Sequence, residues 1–178
     1  MHTFMSSRVS VILAVKDGER YLKNALDSVL DQVYTGFELI AINDGSSDST
    51  AQILLDCMNQ DKRIRVFTNR HSQGLTKCLN QGLEISRGML VARIDHDDIW
   101  LPSKLKKQVE FFEQNEDFGL LGTAFREIDS VGRTLPVLAR KNIQSDTEIR
   151  QNLHLYNPFC HSSVMFRREL YEEYGGYN

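Results

Sequence analysis

A chain of 178 residues with 41% hydrophobic and 25% charged residues and only 3 prolines suits one domain with a substantial core, and the composition is ordinary for a soluble globular protein. Its formal net charge of −3 supplies no global basic field, which argues against nucleic acid as the main partner. The 3 cysteines, Cys57, Cys78 and Cys160, form no CxxC pair; that argues against a disulfide framework or zinc site and suits small buried side chains in a reducing compartment.

Met1 to Ser7 lacks the charged and long apolar regions of a secretory leader. Val9-Ser-Val-Ile-Leu-Ala-Val15 predicts a fully buried strand, far short of the roughly 20 residues of a membrane span, followed by a loop at Lys16-Asp-Gly-Glu19. Leu22, Ala25, Leu26, Val29 and Leu30 are spaced for an amphipathic helix ending before Gly36. Phe37 to Ile42 is a second buried strand with a polar loop, Asn43-Asp-Gly-Ser-Ser-Asp48, after it. Ser49 to Gln52 has capping-box spacing, and Ile53, Leu54 and Met58 continue a helix. Ile64 to Phe67 is a short third strand; Leu75, Leu79 and Leu83 line a helix that Gly88 closes.

Met89 to Ile94 is an apolar run that meets Asp95-His-Asp-Asp98 directly, as a buried strand meets a loop. Beyond Pro102 a helix carries Leu105, Val109 and Phe112, and Gly119 to Ala124 reads as a fifth strand. Near-continuous apolar strands alternating with helices predict an α/β fold whose mainly parallel sheet is covered on both faces. From Phe125 the rhythm changes. Glu127 to Leu135 reads as a hairpin around Gly132, Ser145 to Glu148 as a capping box, Ser163 to Phe166 as a strand, and Arg167 to Tyr174 as a short helix. This second subregion, about 126–178, is expected to pack on the sheet of the first, about 8–125, within a single domain.

In open parallel sheets, ligands bind outside the carboxyl ends of the strands. Three loops there carry acid: Asp17 with Glu19, Asp44 with Asp48, and Asp95 to Asp98. Residues two apart on extended chain share a face roughly 6–7 Å apart, so Asp95 and Asp97 would point the same way. A hard divalent cation with oxygen ligands suits such a pair; a solvated acidic turn with Asp98 as a cap is the plain alternative. The loop after the first strand has one glycine, not the G-x-G-x-x-G that seats a pyrophosphate on a helix N-terminus. A cation bound by Asp95 and Asp97 would instead draw a nucleotide diphosphate to an acidic rim and act as a Lewis acid on its leaving group.

The residues Val9 to Leu22, Asn43-Asp-Gly-Ser-Ser-Asp-Ser-Thr50, Gly74 to Asn80, Ala92-Arg-Ile-Asp-His-Asp-Asp98, Pro102 to Gln108, His161 to Arg168 and Gly175-Gly-Tyr177 resemble, in order and spacing, the N-terminal nucleotide-sugar-binding part of family 2 glycosyltransferases. The resemblance implies the GT-A type of Rossmann-like three-layer sandwich and an Asp-x-Asp motif at Asp95 and Asp97. It implies that Ala14, Val15, Asp17, Asp44, Gly45, Asp95 and His96 bind the nucleotide sugar, with Asp44 accepting from a uracil or thymine. It implies that Asp97, with Asp95, ligates Mg²⁺ or Mn²⁺. The implied reaction moves a sugar from a UDP- or dTDP-sugar to an acceptor hydroxyl with inversion, assembling cell-surface polysaccharide or lipopolysaccharide on a glycan or lipid-linked acceptor. The expected location is the cytoplasm, extending to the inner face of the membrane.

Two departures qualify the resemblance. Lys16 stands where the family commonly has an aromatic beside the base. The family's general base lies in a Glu-Asp motif after Gly-Gly-Tyr, whereas this chain ends at Asn178, so a truncated transferase without its base, and with feeble transfer, is expected. His161 is either a site residue, as a neutral imidazole able to ligate metal, or structural. Arg93 either pairs with Asp95 or contacts diphosphate, and Lys77 either reaches phosphate or is solvated. Asp48 is read as a cap, and Trp100 and Phe159 as packing residues. A sugar-nucleotide pyrophosphorylase would need a basic glycine-rich first loop, and a glycosidase would need carboxylates flanking a bond about 5–9.5 Å apart; neither pattern is present. A non-catalytic nucleotide-sugar-binding module or remnant is the first alternative, and the pyrophosphorylase, disfavoured by the acidic first loop, is the second.

Overall fold

The computed structural model describes residues 8–136 and 145–178; Met1 to Ser7, read above for a leader, lies outside them. Strand β1, Val9–Val15, is buried along its whole length. Its alternation sorts the two cores. Val9, Val11, Leu13 and Val15 share one cluster with Leu22 and Leu26 of α1 (Leu22–Leu30), Leu54 of α2 (Thr50–Gln60) and Leu105 and Phe112 of α4 (Lys104–Gln114). Ile12 and Ala14 face the other way, onto Cys78, Leu79 and Leu83 of α3 (Leu75–Glu84). A strand buried on both faces needs helices on both faces, so the result is a three-layer sandwich.

The sheet has 6 strands in the order β3-β2-β1-β4-β6-β5. Strands β2 (Phe37–Asn43), β3 (Ile64–Thr68) and β4 (Leu90–Asp95) continue β1 in parallel. Strand β6 (Met165–Arg167) is antiparallel to β4, and the two-residue β5 (Leu120–Leu121) is antiparallel to β6. The chain after residue 125 therefore extends the existing sheet, and α6 (Arg168–Tyr174) places Leu170 and Tyr171 against the α3 side of the core.

Several sequence expectations are corrected. The fifth strand is two residues long rather than spanning 119–124, and Ser163 belongs to a 3₁₀ turn, His161–Ser163, that precedes β6. Ser49 makes no side-chain cap; the Asp48 carboxylate takes that part, accepting from the Thr50 N–H at 2.9 Å. Ser145 does cap α5 (Asp146–Asn152), accepting from the Glu148 N–H. Helix α3 ends at Glu84, before Gly88. Gly88 instead passes so close to β1 that a Cβ there would lie 2.5 Å from the Ser10 nitrogen. Met89, taken as the start of the apolar run, is 64% exposed. The hairpin at Gly132 is present, with Gly132 at φ +83° and Ile128 bridged to Thr134. Cys57 and Cys78 are buried and Cys160 partly so, all as free thiols. Among the described residues no helix is long and apolar enough to cross a membrane.

Candidate functional site

Strand register aligns the carboxyl ends. Ala14 sits opposite both Ile42 and Asp95, and Asn43 opposite both Val15 and Thr68. The loops that leave these positions border a cleft of about 340 Å³, within the range of small-molecule sites. Ala14, Val15, Asp44, Asp95, His96, Asp97 and Arg93, all singled out from the sequence, line it. Asp17, Gly45, Lys77 and His161 are absent from its lining, whereas Lys16, Ser72, Gly74, Leu75 and Cys78 belong to it. Leu75, placed by its spacing on one helix face with Leu79 and Leu83, is 51% exposed; Cys78, Leu79, Gly82 and Leu83 form the buried face of α3. A second depression of about 350 Å³, bordered by Val33, Tyr34 and α4, has its charges paired, Lys106 with Glu110 and Glu113 with Arg8.

Asp44 is 4% exposed, and its carboxylate organises the wall opposite β4. Oδ1 accepts from Asn69 Nδ2 at 2.9 Å and the Gln73 N–H at 2.7 Å; Oδ2 accepts from Ser72 Oγ at 2.7 Å and the Gly74 N–H at 2.9 Å. Four donors occupy the roughly four acceptor positions of a carboxylate. Burial alone would raise its pKa, but these hydrogen bonds outweigh it and hold the group well below the usual carboxylate range. Gly45 follows at φ +68°, where a Cβ would lie 3.0 Å from the Ser72 nitrogen; only glycine turns the chain there without displacing the loop. Nearby, burial first and then the neighbouring Asp44 carboxylate, through hydrogen bonding and charge, push the Cys78 thiol up to about 12, so it lines the cleft as an unreactive thiol.

The acid of the first two loops is largely consumed in joining them. Asp17, at φ +50°, accepts from the Ser47 N–H and hydroxyl, while its own N–H donates to Ser46 Oγ. The Glu19 side chain accepts from the Ser49 N–H, and Asp48 accepts from the Glu19 N–H. The Gly18 N–H donates to Thr50 Oγ1 at 2.8 Å. These side chains are loop staples, which leaves the charge facing the cleft to Asp44, Asp95 and Asp97.

Strand β4 ends at Asp95, and a turn closed by the Asp98 N–H on the Asp95 carbonyl at 3.2 Å follows. Asp97 is thus on a turn and not on extended chain, so it reaches the cleft by the turn and not by strand alternation. Arg93, 4% exposed, donates to Asp95 Oδ1 through Nη2 at 2.8 Å and Nε at 3.3 Å. The ion-pair reading of Arg93 is what the geometry contains. Ser162 Oγ accepts the Asp95 N–H at 2.7 Å, and the Ser162 carbonyl accepts Trp100 Nε1–H at 2.9 Å. Burial pushes Asp98 up, with Asp97 and Asp95 adding to the rise and the Ser162 hydrogen bond opposing it. His161 places Nδ1 2.9 Å from Arg93 Nη1 and Nε2 2.8 Å from Asn157 Nδ2; a neutral ring accepts at one of these nitrogens only.

Among the described residues no group of three or more His, Cys, Asp and Glu side chains is arranged to hold a metal. Of the three carboxylates that border the cleft, Asp44 is fully engaged by its four donors, whereas Asp95 Oδ2 accepts no hydrogen bond among the described residues and Asp97 lies beside it in the lining. That donor set fits Mg²⁺ or Mn²⁺ bound through one or two carboxylates with phosphate oxygens and water completing the shell, and does not fit an all-protein cage.

The family model described as "Glycosyl transferase family 2" matches residues 10–175. A curated relative, "O-antigen biosynthesis glycosyltransferase WbnJ" from Escherichia coli, is 33% identical over 170 residues, covering 95% of this chain and 65% of its own length. The crystal structure of residues 1–349 of TarS from S. aureus in complex with UDP-GlcNAc is similar with a TM-score of 0.78 at 22% identity, covering 96% of this chain and 48% of that one. The mannosyltransferase PcManGT from Pyrobaculum calidifontis in complex with GDP-Man and Mn²⁺ gives 0.72 at 18% identity, covering 96% and 47%. The mixed six-stranded sheet is that of GT-A glycosyltransferases. The chain spans between 53% and 65% of the length of the first curated relatives it matches.

Proposed function

Because this chain belongs to glycosyl transferase family 2, we propose that its cleft holds the UDP- or dTDP-sugar donor of an inverting sugar transfer in cell-surface polysaccharide or lipopolysaccharide synthesis. The observation that carries the reading is the convergence of Asp44 and Asp97, 53 positions apart in sequence, on one cleft that also takes in Ala14, Val15, Asp95 and His96. A relative named for O-antigen synthesis and solved structures with nucleotide sugars support the same class.

The base lies along Ala14, Val15 and Leu75, with Asp44 at the inner end. A base N–H reaches Asp44 by taking the place of the Ser72 hydroxyl, the one Asp44 partner that turns aside by rotating a single bond; exchanging one such hydrogen bond for another costs little. Lys16 borders the same cleft as a cation where the family commonly has an aromatic beside the base. Asp97 and Asp95 would hold Mg²⁺ or Mn²⁺, which would supply stabilisation of the charge on the departing diphosphate. His96 and Arg93 form the wall beside them. The acceptor is a glycan or lipid-linked hydroxyl.

A thermal-shift screen of nucleotide diphosphates and their sugars, with and without Mn²⁺, tests this reading. A ligand at about 100 times its Kd stabilises a single-site protein by about 2.7 kcal/mol. The expected shift requires the cation and is lost in Asp97→Ala; equal shifts in parent and variant would remove Asp97 from the site.

A further inference from the structure

The second part of the chain reaches the donor cleft without lining it. We propose that Arg93 is a positioning residue that fixes Asp95 toward the bound cation, and that His161 holds Arg93 in place. The proposal rests on the donor-site reading above.

Arg93 has three of its nitrogens committed: Nε and Nη2 to a single oxygen, Asp95 Oδ1, and Nη1 to His161 Nδ1 at 2.9 Å. A guanidinium only donates, so His161 Nδ1 is the acceptor and the imidazole serves Arg93 rather than a metal. Two donors on one oxygen leave the second, Oδ2, as the sole acceptor Asp95 can offer a ligand. The Asp95 backbone is pinned too, its N–H donating to Ser162 Oγ at 2.7 Å. Carboxylate and main chain are thus both set by the 161–162 turn, 66 or more residues away in sequence.

A third support comes from Tyr177. Its backbone is clasped from both sides by Asn80 of α3, which donates to the Tyr177 carbonyl at 2.8 Å and accepts the Tyr177 N–H at 2.7 Å. Burial raises the pKa of its phenol, and the nearby Arg93 charge opposes that rise. Two of the five guanidinium N–H groups remain for a ligand, so the rival arrangement, with Arg93 itself gripping diphosphate, predicts that Arg93 supports UDP binding without metal. Outer partners of metal ligands commonly change metal affinity by about 10–100-fold when removed.

The test measures free Mn²⁺ by electron paramagnetic resonance at a fixed, saturating UDP concentration, on the full chain and its variants, with UDP binding in the absence of metal measured alongside. The expected results are a loss of Mn²⁺ affinity of about 10-fold in His161→Ala and its recovery in His161→Gln, whose amide oxygen again accepts from Nη1. Arg93→Met is expected to lose more, and metal-free UDP binding stays at the parent's value in both His161 variants. His161 is exposed, so its variants remain informative if Arg93→Met fails to fold. Parent-like Mn²⁺ affinity in His161→Ala overturns the inference. So does an equal loss of UDP binding with and without metal, which would place Arg93 on the diphosphate. A parent chain that binds neither UDP nor Mn²⁺ instead sinks the donor-site reading, and this role with it.

Discussion

Asp44→Asn keeps the shape of the side chain and converts one acceptor into a donor, which makes it the sharpest probe of the cleft wall. If the amide nitrogen takes the Oδ1 place, it confronts Asn69 Nδ2 and the Gln73 N–H, both donors. If it takes the Oδ2 place, it can donate to the Ser72 hydroxyl but confronts the Gly74 N–H. One or two hydrogen bonds are lost either way, and the rest lose their charged acceptor. Hydrogen bonds to charged groups contribute about 1.5–3 kcal/mol each and neutral ones about 1 kcal/mol, so the loss should be roughly 2–4 kcal/mol. The single tryptophan, Trp100, is 5% exposed and reports unfolding by its fluorescence. With a urea m-value of about 2 kcal/mol/M the midpoint should fall by about 1–2 M. Acid adds a second arm. The native Asp44 pKa lies below the unfolded value near 3.8, so its contribution is present above that pH and lost as pH falls through the native value. The parent should therefore lose stability below pH 4 more steeply than the variant. A midpoint shift under about 0.3 M, or identical acid profiles, would refute the assignment of Asp44 as the anchor of the 69–74 wall.

Burial pushes the Lys104 ammonium, 3.7 Å from the Trp100 ring, down to about 7, with the Cys160 charge opposing it. Because the unfolded chain holds that proton to a higher pH, stability should rise as pH increases from 7 to 8.5 and stay flat in Lys104→Met, measured by urea midpoints. Gly45→Ala must take φ +68° and push a Cβ against the Ser72 nitrogen; a loss of about 1–2 kcal/mol is expected, with faster hydrogen exchange at the Gln73 and Gly74 amides, and unchanged exchange would contradict it. Leu105→Ala removes a fully buried side chain from the α4 contact and should cost about 2–5 kcal/mol without changing the nucleotide requirement for Mn²⁺.

The parts of this fold that were legible in the sequence are those governed by local period. Val9 to Val15 has apolar residues on both faces and became a strand buried on both. Leu22/Leu26 and Leu105/Val109/Phe112 keep helical spacing and became the faces of α1 and α4. Spacing failed where tertiary partners decide. Leu75, Leu79 and Leu83 make a regular stripe, yet α3 turns Cys78 and Gly82 inward and leaves Leu75 at the cleft, because Ile12 sits where any side chain larger than that of Gly82 would be. Strand β5 is short because it pairs only with the three-residue β6, and nothing in Gly119 to Ala124 announces so small a partner.

The acidic rim was visible, but the division of labour within it was not. Asp17, Glu19 and Asp48 look identical to Asp95 and Asp97 as letters. They are spent on amides and hydroxyls about 30 residues away, a pairing only the parallel register creates. The same holds for Asp44, whose partners arrive from 69–74 and were signalled only by the Gly74 to Asn80 stretch. Extended geometry at Asp97 was the wrong premise for its position, since the chain turns after Asp95; the residue still reaches the cleft.

The central claim is that a cation and a nucleotide diphosphate meet at Asp95 and Asp97, at the carboxyl edge of the sheet. Paramagnetic broadening of backbone amide resonances by Mn²⁺ in the presence of UDP tests it most directly. The account predicts UDP-dependent broadening centred on Asp95, His96 and Asp97 and extending to Gly74, with Arg63 and Met89 at the opposite edge unaffected. Broadening that ignores UDP, or that centres anywhere else on the molecule, would contradict it.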